Sequence, residues 1–184
     1  MSAIVKVLIE GCLASDSEGK TCPTISLVQD KNLNIIVDPG TVSDFDLIVK
    51  ALAQNDLNLS DISLVFLTHC HFDHFYNVSK FANAEVLDYW GIWKNNLIRE
   101  NPGKLNENIS IINTPGHSYD SQTMLVKTDS GLVAICGDVY WKEDWPVIDD
   151  YASGVEELTL SRKKILGIAD WVVPGHGPMY KVKK

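Results

Sequence analysis

The sequence predicts an α/β fold, a mixed sheet system with outer helices, on three observations. Short apolar runs rich in branched residues recur along the chain and read as strands. They come in runs, with helical patterns inserted after several of them, so strict strand–helix alternation is not expected. At 184 residues the chain fits one domain, residues 1–184, able to bury roughly 70% of its unfolded surface.

The elements follow in order. Residues 4–9 read as a strand, and 11–23, polar and rich in small residues, as a loop. Gly19-Lys20-Thr21 superficially matches a phosphate-binding loop, but Ala14 stands where that motif needs glycine. Residues 24–28 and 33–37 flank a polar turn and predict a hairpin, which Asp38-Pro39-Gly40 ends. Ser43, with Asp46 three residues on, signals a helix start. Leu47, Ile48, Ala51 and Leu52 then form one helical face. A strand is expected over 63–67, a short helix near 77–81 and a strand near 85–87. The segment 89–104 ends in the turn signal Asn101-Pro102-Gly103 and has no clear period. Strands over 109–112, 123–127 and 132–136, a helix over 154–168 and a last strand over 170–173 complete the reading.

Composition narrows the function. An apolar fraction of 45% and a charged fraction of 22% are ordinary for a soluble protein. No apolar run approaches the ~20 residues that span a bilayer, and the first residues do not look like a secretory signal, so the expected location is cytoplasmic, with no membrane partner. A net charge of −8 disfavours non-specific nucleic-acid binding. It does not exclude a nuclease, because bound cations offset negative charge locally. Cys12, Cys22, Cys70 and Cys136 show no C-x-x-C spacing, so four reduced thiols are expected. A Cys12–Cys22 bridge across the first loop is an open alternative without support in the sequence.

All five histidines lie in three short segments. Thr68-His69-Cys70-His71-Phe72-Asp73-His74 holds three; Thr114-Pro115-Gly116-His117 and Pro174-Gly175-His176-Gly177 hold one each. Taken singly, His117, His176 or Asp138 is more often a packed or turn-forming polar residue than a ligand. Together the loops, each just after a predicted strand, offer imidazole and carboxylate, which suit zinc, iron or manganese. Neighbours in the His69–His74 segment point to different sides, so two ions are simpler than one. His69 and His71 would face one, with His117; Asp73 and His74 the other, with His176; Asp138 can bridge. Such a pair shares a hydroxide that attacks a carbonyl or phosphoryl group, and Asp73 is placed to shuttle a proton. Structural zinc, by contrast, is normally closed by four protein ligands.

These segments resemble the metallo-β-lactamase-fold hydrolases. Asp38-Pro39-Gly40, Thr68 to His74, Thr114-Pro115-Gly116-His117-Ser118, Gly137-Asp138 and Pro174-Gly175-His176-Gly177-Pro178 look like its five motifs in order. The resemblance covers nearly the whole chain and implies a four-layer αβ/βα sandwich. It implies His69, His71 and His117 on one zinc, Asp73, His74 and His176 on a second, Asp138 bridging both, and Asp38 orienting the ligand loops. A closer likeness, to the small single-domain branch called metallo-β-lactamase domain-containing protein one, rests on residues 161–178 and on Ser26-Leu27-Val28. The implied substrates are a lactone, ester or thioester, or a phosphodiester of short single-stranded RNA. Iron-dependent sulfur dioxygenase chemistry on the same fold is the alternative, since the ligand set does not separate iron from zinc. Loops 11–23, 89–104 and 140–151 are expected to shape the pocket. Trp90, Trp93, Trp141 and Trp145 in them form a substrate wall, a homodimer contact or local core. Arg162, Lys163 and Lys164 read as a solvated helix face.

Overall fold

Two sheets form because the apolar runs carry branched residues on both faces of their central strands. The computed structural model describes residues 2–183. In the first sheet β1 (Ile4–Ile9), β2 (Ile25–Asp30) and β3 (Leu33–Val37) pair antiparallel. After helix α1 (Asp46–Ala53), β4 (Leu64–Phe66) pairs parallel to β3; after the single helical turn α2 (Phe72–Phe75), β5 (Glu85–Leu87) pairs parallel to β4. The hairpin β6 (Ile92–Lys94) and β7 (Leu97–Arg99) completes the sheet in the order β1-β2-β3-β4-β5-β6-β7. The second sheet runs β12-β11-β10-β9-β8. It comprises β8 (Ile109–Asn113), β9 (Gln122–Thr128), β10 (Gly131–Gly137), then helix α3 (Val155–Ile168), β11 (Trp171–Pro174) and β12 (Tyr180–Lys181).

Strand alternation sorts the layers. Ile35 and Val37 of β3 point between the sheets with Phe66, Met124, Val126, Ile135 and Val173. Ile36, between them in sequence, faces outward under Ile48 and Leu52 of α1. In β10, Val133 and Ile135 point inward, while Ala134 and Cys136 lie under Leu158 and Ile165 of α3. The result is helix, sheet, sheet, helix: the four-layer αβ/βα architecture that the resemblance implies. Each fully buried branched side chain contributes about 1.5–3 kcal/mol, so this patterning stabilises the frame.

Three local expectations change. Helix α1 starts at Asp46 with Phe45 at its N-cap and no side-chain cap, so Ser43 does not cap it; Asp44 Oδ1 accepts from Asp46 N at 3.0 Å just ahead of the helix. The helix expected near 77–81 is only a 3₁₀ turn over Val78–Lys80. Asn77 is diverted: its N–H donates to Pro39 O and its Nδ2 to Gly40 O, at 3.0 and 2.6 Å. The α-helical turn falls earlier, at Phe72–Phe75. Segment 89–104 resolves into the β6–β7 hairpin, whose turn is reversed at Asn95, φ +55°.

Strands β3 and β4 are parallel, and β8, β10 and β11 run in one direction because β9 is antiparallel to both β8 and β10. The loops leaving their C-terminal ends carry Asp38, the His69–His74 segment, His117, Asp138 and His176.

Candidate metal centre

The fold gathers all seven predicted ligand residues. His69, His71, His117 and Asp138 each present a ligand-type atom, all within 4.8 Å of one another. Asp73, His74 and His176 form a second such group. Asp138 lies between the groups. Its Oδ1 is 3.3 Å from His74 Nε2, and its Oδ2 is 3.2 Å from His176 Nε2 and 3.5 Å from His117 Nε2.

Outer partners turn four imidazoles the same way. His74 Nδ1 donates to Asp38 Oδ2 at 2.9 Å, and His117 Nδ1 to Asp149 Oδ2 at 2.7 Å. His176 Nδ1 donates to Cys22 O at 2.9 Å. His69 Nδ1 donates to Thr68 Oγ1 at 3.1 Å, and that hydroxyl donates onward to Asp38 Oδ2 at 2.6 Å. These tautomers are assigned from the hydrogen-bond network. Each leaves the Nε2 lone pair facing inward, the arrangement that second partners of metal-binding histidines impose.

That arrangement tests whether a cation fits. His69 Nε2, His74 Nε2 and Asp138 Oδ1 are buried without a hydrogen-bond partner. His74 Nε2 and Asp138 Oδ1 are both acceptors in this tautomer, 3.3 Å apart. Two acceptors so placed repel unless a proton or metal ion lies between them. Buried unpaired acceptors are costly, and imidazole with carboxylate is a donor set for transition metals. The residues fit divalent ions.

Without metal, the two groups of side chains favour different protonation states. Burial, then the neighbouring imidazoles of His74, His117 and His71, hold His69 well below the usual imidazole value. Burial and His117 also lower His71. Burial pulls against protonation of His74, but Asp138 and Asp38 outweigh it and raise His74 well above that value. His176 is raised likewise, burial being outweighed by Asp138. Burial pushes Asp138 up, yet His176 and His74 prevail and hold it well below the usual carboxylate range.

Tight backbone approaches fix the ligand loops. A Cβ on Gly175 would lie 1.8 Å from Asp138 Oδ1, and one on Gly40 would lie 1.5 Å from Asp73 O. Asp38 adopts φ +48° and also accepts from Thr68 N at 2.8 Å, tying β3 to the histidine segment. Thr24 N donates to Gly175 O at 2.6 Å, tying β2 to the last loop.

Over the centre opens a cavity of about 580 Å³. Leu13, Ala14 and Thr21 wall one side, and Trp141, Trp145 and Tyr151 the other. Trp141 stands edge-on to His117, with ring centres 6.1 Å apart. Loops 11–23 and 140–151 therefore shape the pocket as predicted, whereas 89–104 contributes no lining residue because it extends the sheet edge. Trp90 and Trp93 are half-exposed, forming neither pocket wall nor core.

Sequence reasoning missed Asp149, Thr68 and the Cys22 carbonyl. Asp149 is 32 residues from His117, so no local spacing could reveal the pair. It also misread Arg162, which is not simply solvated: its Nε donates to Val139 O at 2.9 Å, and its Nη1 to Val147 O at 3.4 Å. Arg162 thereby holds the loop that carries Asp149.

The Metallo-beta-lactamase superfamily model matches residues 23–108. A protein named "Probable metallo-hydrolase" from Methanocaldococcus jannaschii is 32% identical, over 98% of this chain and 90% of its own length. The chain belongs to the metallo-beta-lactamase superfamily. Metallo-beta-lactamase domain-containing protein 1 of Xenopus laevis is 29% identical, covering 98% of this chain and 82% of the frog protein. A crystal structure assigned to the metallo-beta-lactamases, from Thermotoga maritima, superposes with a TM-score of 0.76 at 25% identity, covering 98% of this chain and 100% of that one. Relatives and site together make the chain a metallo-hydrolase.

Proposed function

We propose that this metallo-hydrolase binds two zinc ions and cleaves an uncharged carbonyl compound, a lactone, ester or thioester with an apolar group. The observation that carries this reading is the inward convergence of seven ligand-type side chains, with three buried atoms lacking hydrogen-bond partners. Bound divalent cations lower the pKa of water from 15.7 to about 7 and polarise the bond under attack.

The chain's own groups do the rest. Asp138 holds the two ligand sets together through its two oxygens. Asp73 is partly exposed to the cavity, and its Oδ2 lies 3.6 Å from His176 Nε2 and 4.0 Å from His74 Nε2. It is placed to take a proton from the attacking water and return it to the leaving group. Thr21 Oγ1, donating to Asp73 Oδ2 at 3.5 Å, steadies that carboxylate. Leu13, Trp141, Trp145 and Tyr151 exclude water and take an acyl or ring group.

RNA phosphodiester cleavage is the less supported reading. Among the described residues the cavity walls carry no lysine or arginine, and a polyanion relies on such charges. The decisive experiment is a panel of lactones, thioesters, esters, β-lactams, phosphodiesters and short RNAs, run on enzyme of known metal content. Turnover of a neutral carbonyl compound supports the proposal. Turnover of RNA alone overturns the substrate class. Iron in the purified protein, with oxygen uptake, overturns hydrolysis in favour of oxidoreductase chemistry.

A further inference from the structure

Cys12 and Cys22 face each other across the neck of the loop that walls the pocket. They form an antiparallel bridge: Cys12 N donates to Cys22 O at 2.9 Å, and Cys22 N to Cys12 O at 3.0 Å. Their sulfurs are 2.7 Å apart, and both residues are partly exposed. Between them run Leu13, Ala14, Ser15 and Thr21 of the cavity wall. A second cavity, of about 340 Å³, opens on both cysteines and is bordered by Lys20, Thr41 and Val42. It gives an anionic thiol reagent a route to the sulfurs, with the Lys20 ammonium at its rim.

The neck is also joined to the metal centre. The Cys22 carbonyl orients His176, and Thr21 touches Asp73. The rest of the loop is held mainly by its own turns and by the exposed Asp16–Lys142 pair. Ordering residues 13–21 therefore orders one wall of the pocket.

We propose that Cys12 and Cys22 form a reversible disulfide, made by exchange with a small disulfide such as oxidised glutathione, that fixes the pocket wall in its substrate-binding form. One of the two cysteine thiolates attacks a glutathione sulfur, forming a mixed disulfide and expelling glutathione thiolate. The facing cysteine thiolate then displaces the second glutathione. Two protein thiols are oxidised, one glutathione disulfide is reduced to two thiols, and the two protons pass to solvent or thiolate. Partly exposed disulfides are the labile, regulatory kind. Cys70 and Cys136 have no facing thiol among the described residues.

The test treats the full chain with oxidised glutathione, then maps peptides and follows tryptic cleavage after Lys20, read under reducing conditions. The expected result is a Cys12–Cys22 linked peptide and about tenfold slower cleavage after Lys20, both reversed by dithiothreitol and absent in Cys12→Ser and Cys22→Ser. Persistent glutathione adducts, linkage through Cys70, or unchanged cleavage overturns the proposal. These readouts need neither metal nor turnover, so they stand apart from the hydrolase reading. The effect on substrate rests on that reading: with any substrate found, KM falls on oxidation and returns on reduction. Unchanged KM with Lys20 protected overturns the link to the pocket.

Discussion

Replacing Asp149 with asparagine removes one negative charge from behind His117 and leaves shape nearly unchanged. In the wild type, His117 Nδ1 donates to Asp149 Oδ2 at 2.7 Å, and both groups are buried. Water cannot take over the role. A charge-assisted bond of this kind contributes roughly 1.5–3 kcal/mol, and loss of such an outer partner typically weakens metal binding by about 10- to 100-fold. Asp149 Oδ1 also accepts from Tyr151 N at 3.0 Å; asparagine retains a carbonyl oxygen for that turn. The loss is expected in one site only, because His74 and His176 are oriented by Asp38 and the Cys22 carbonyl. The assay is chelator-competition titration of metal-loaded protein, with thermal melting of the metal-free form alongside. One equivalent should bind about 10- to 100-fold more weakly and the other as before. Two unchanged affinities would refute the reasoning, as would an equal loss at both sites with a lower metal-free melting point.

Further outcomes follow from the same geometry. Asp73→Asn should lower kcat by about 100-fold or more and leave melting of the metal-free protein nearly unchanged; wild-type turnover would remove its proton-transfer role. Gly175→Ala places a methyl 1.8 Å from Asp138 Oδ1, so metal content should fall in both groups while circular dichroism stays native. Metal-free stability should depend on pH through His74, whose value is raised. Its contribution is complete below the unfolded value of about 6.5 and is lost as pH rises through the folded value. Melting of stripped protein should therefore fall as pH rises above about 6.5, and His74→Gln should flatten that slope. A melting point that rises over this range in the wild type would contradict it.

The sheet frame was legible because alternation and turn chemistry agree. Lys31-Asn32 links two apolar runs, and Ile36 faces the opposite layer from Ile35 and Val37. The histidine loops were legible because each histidine-bearing segment follows a strand. Helix starts were less so: Asp44, one residue nearer Asp46 than Ser43, is the side chain whose carboxylate accepts from Asp46 N. The 3₁₀ turn at Val78–Lys80 arose from a distant contact, Asn77 with Gly40, that local propensity cannot register. The same limit hid Asp149 and the Cys22 carbonyl. Both act across the fold on a histidine ring, and neither has a spacing that announces it. The β6–β7 hairpin was obscured because its strands are three residues each, too short to show a period.

The most direct test is metal stoichiometry with position: elemental analysis of protein loaded with zinc, followed by anomalous diffraction. Two ions per chain are expected, one among His69, His71 and His117, one among Asp73, His74 and His176, with Asp138 touching both. A single ion elsewhere, or none retained after loading, would contradict this.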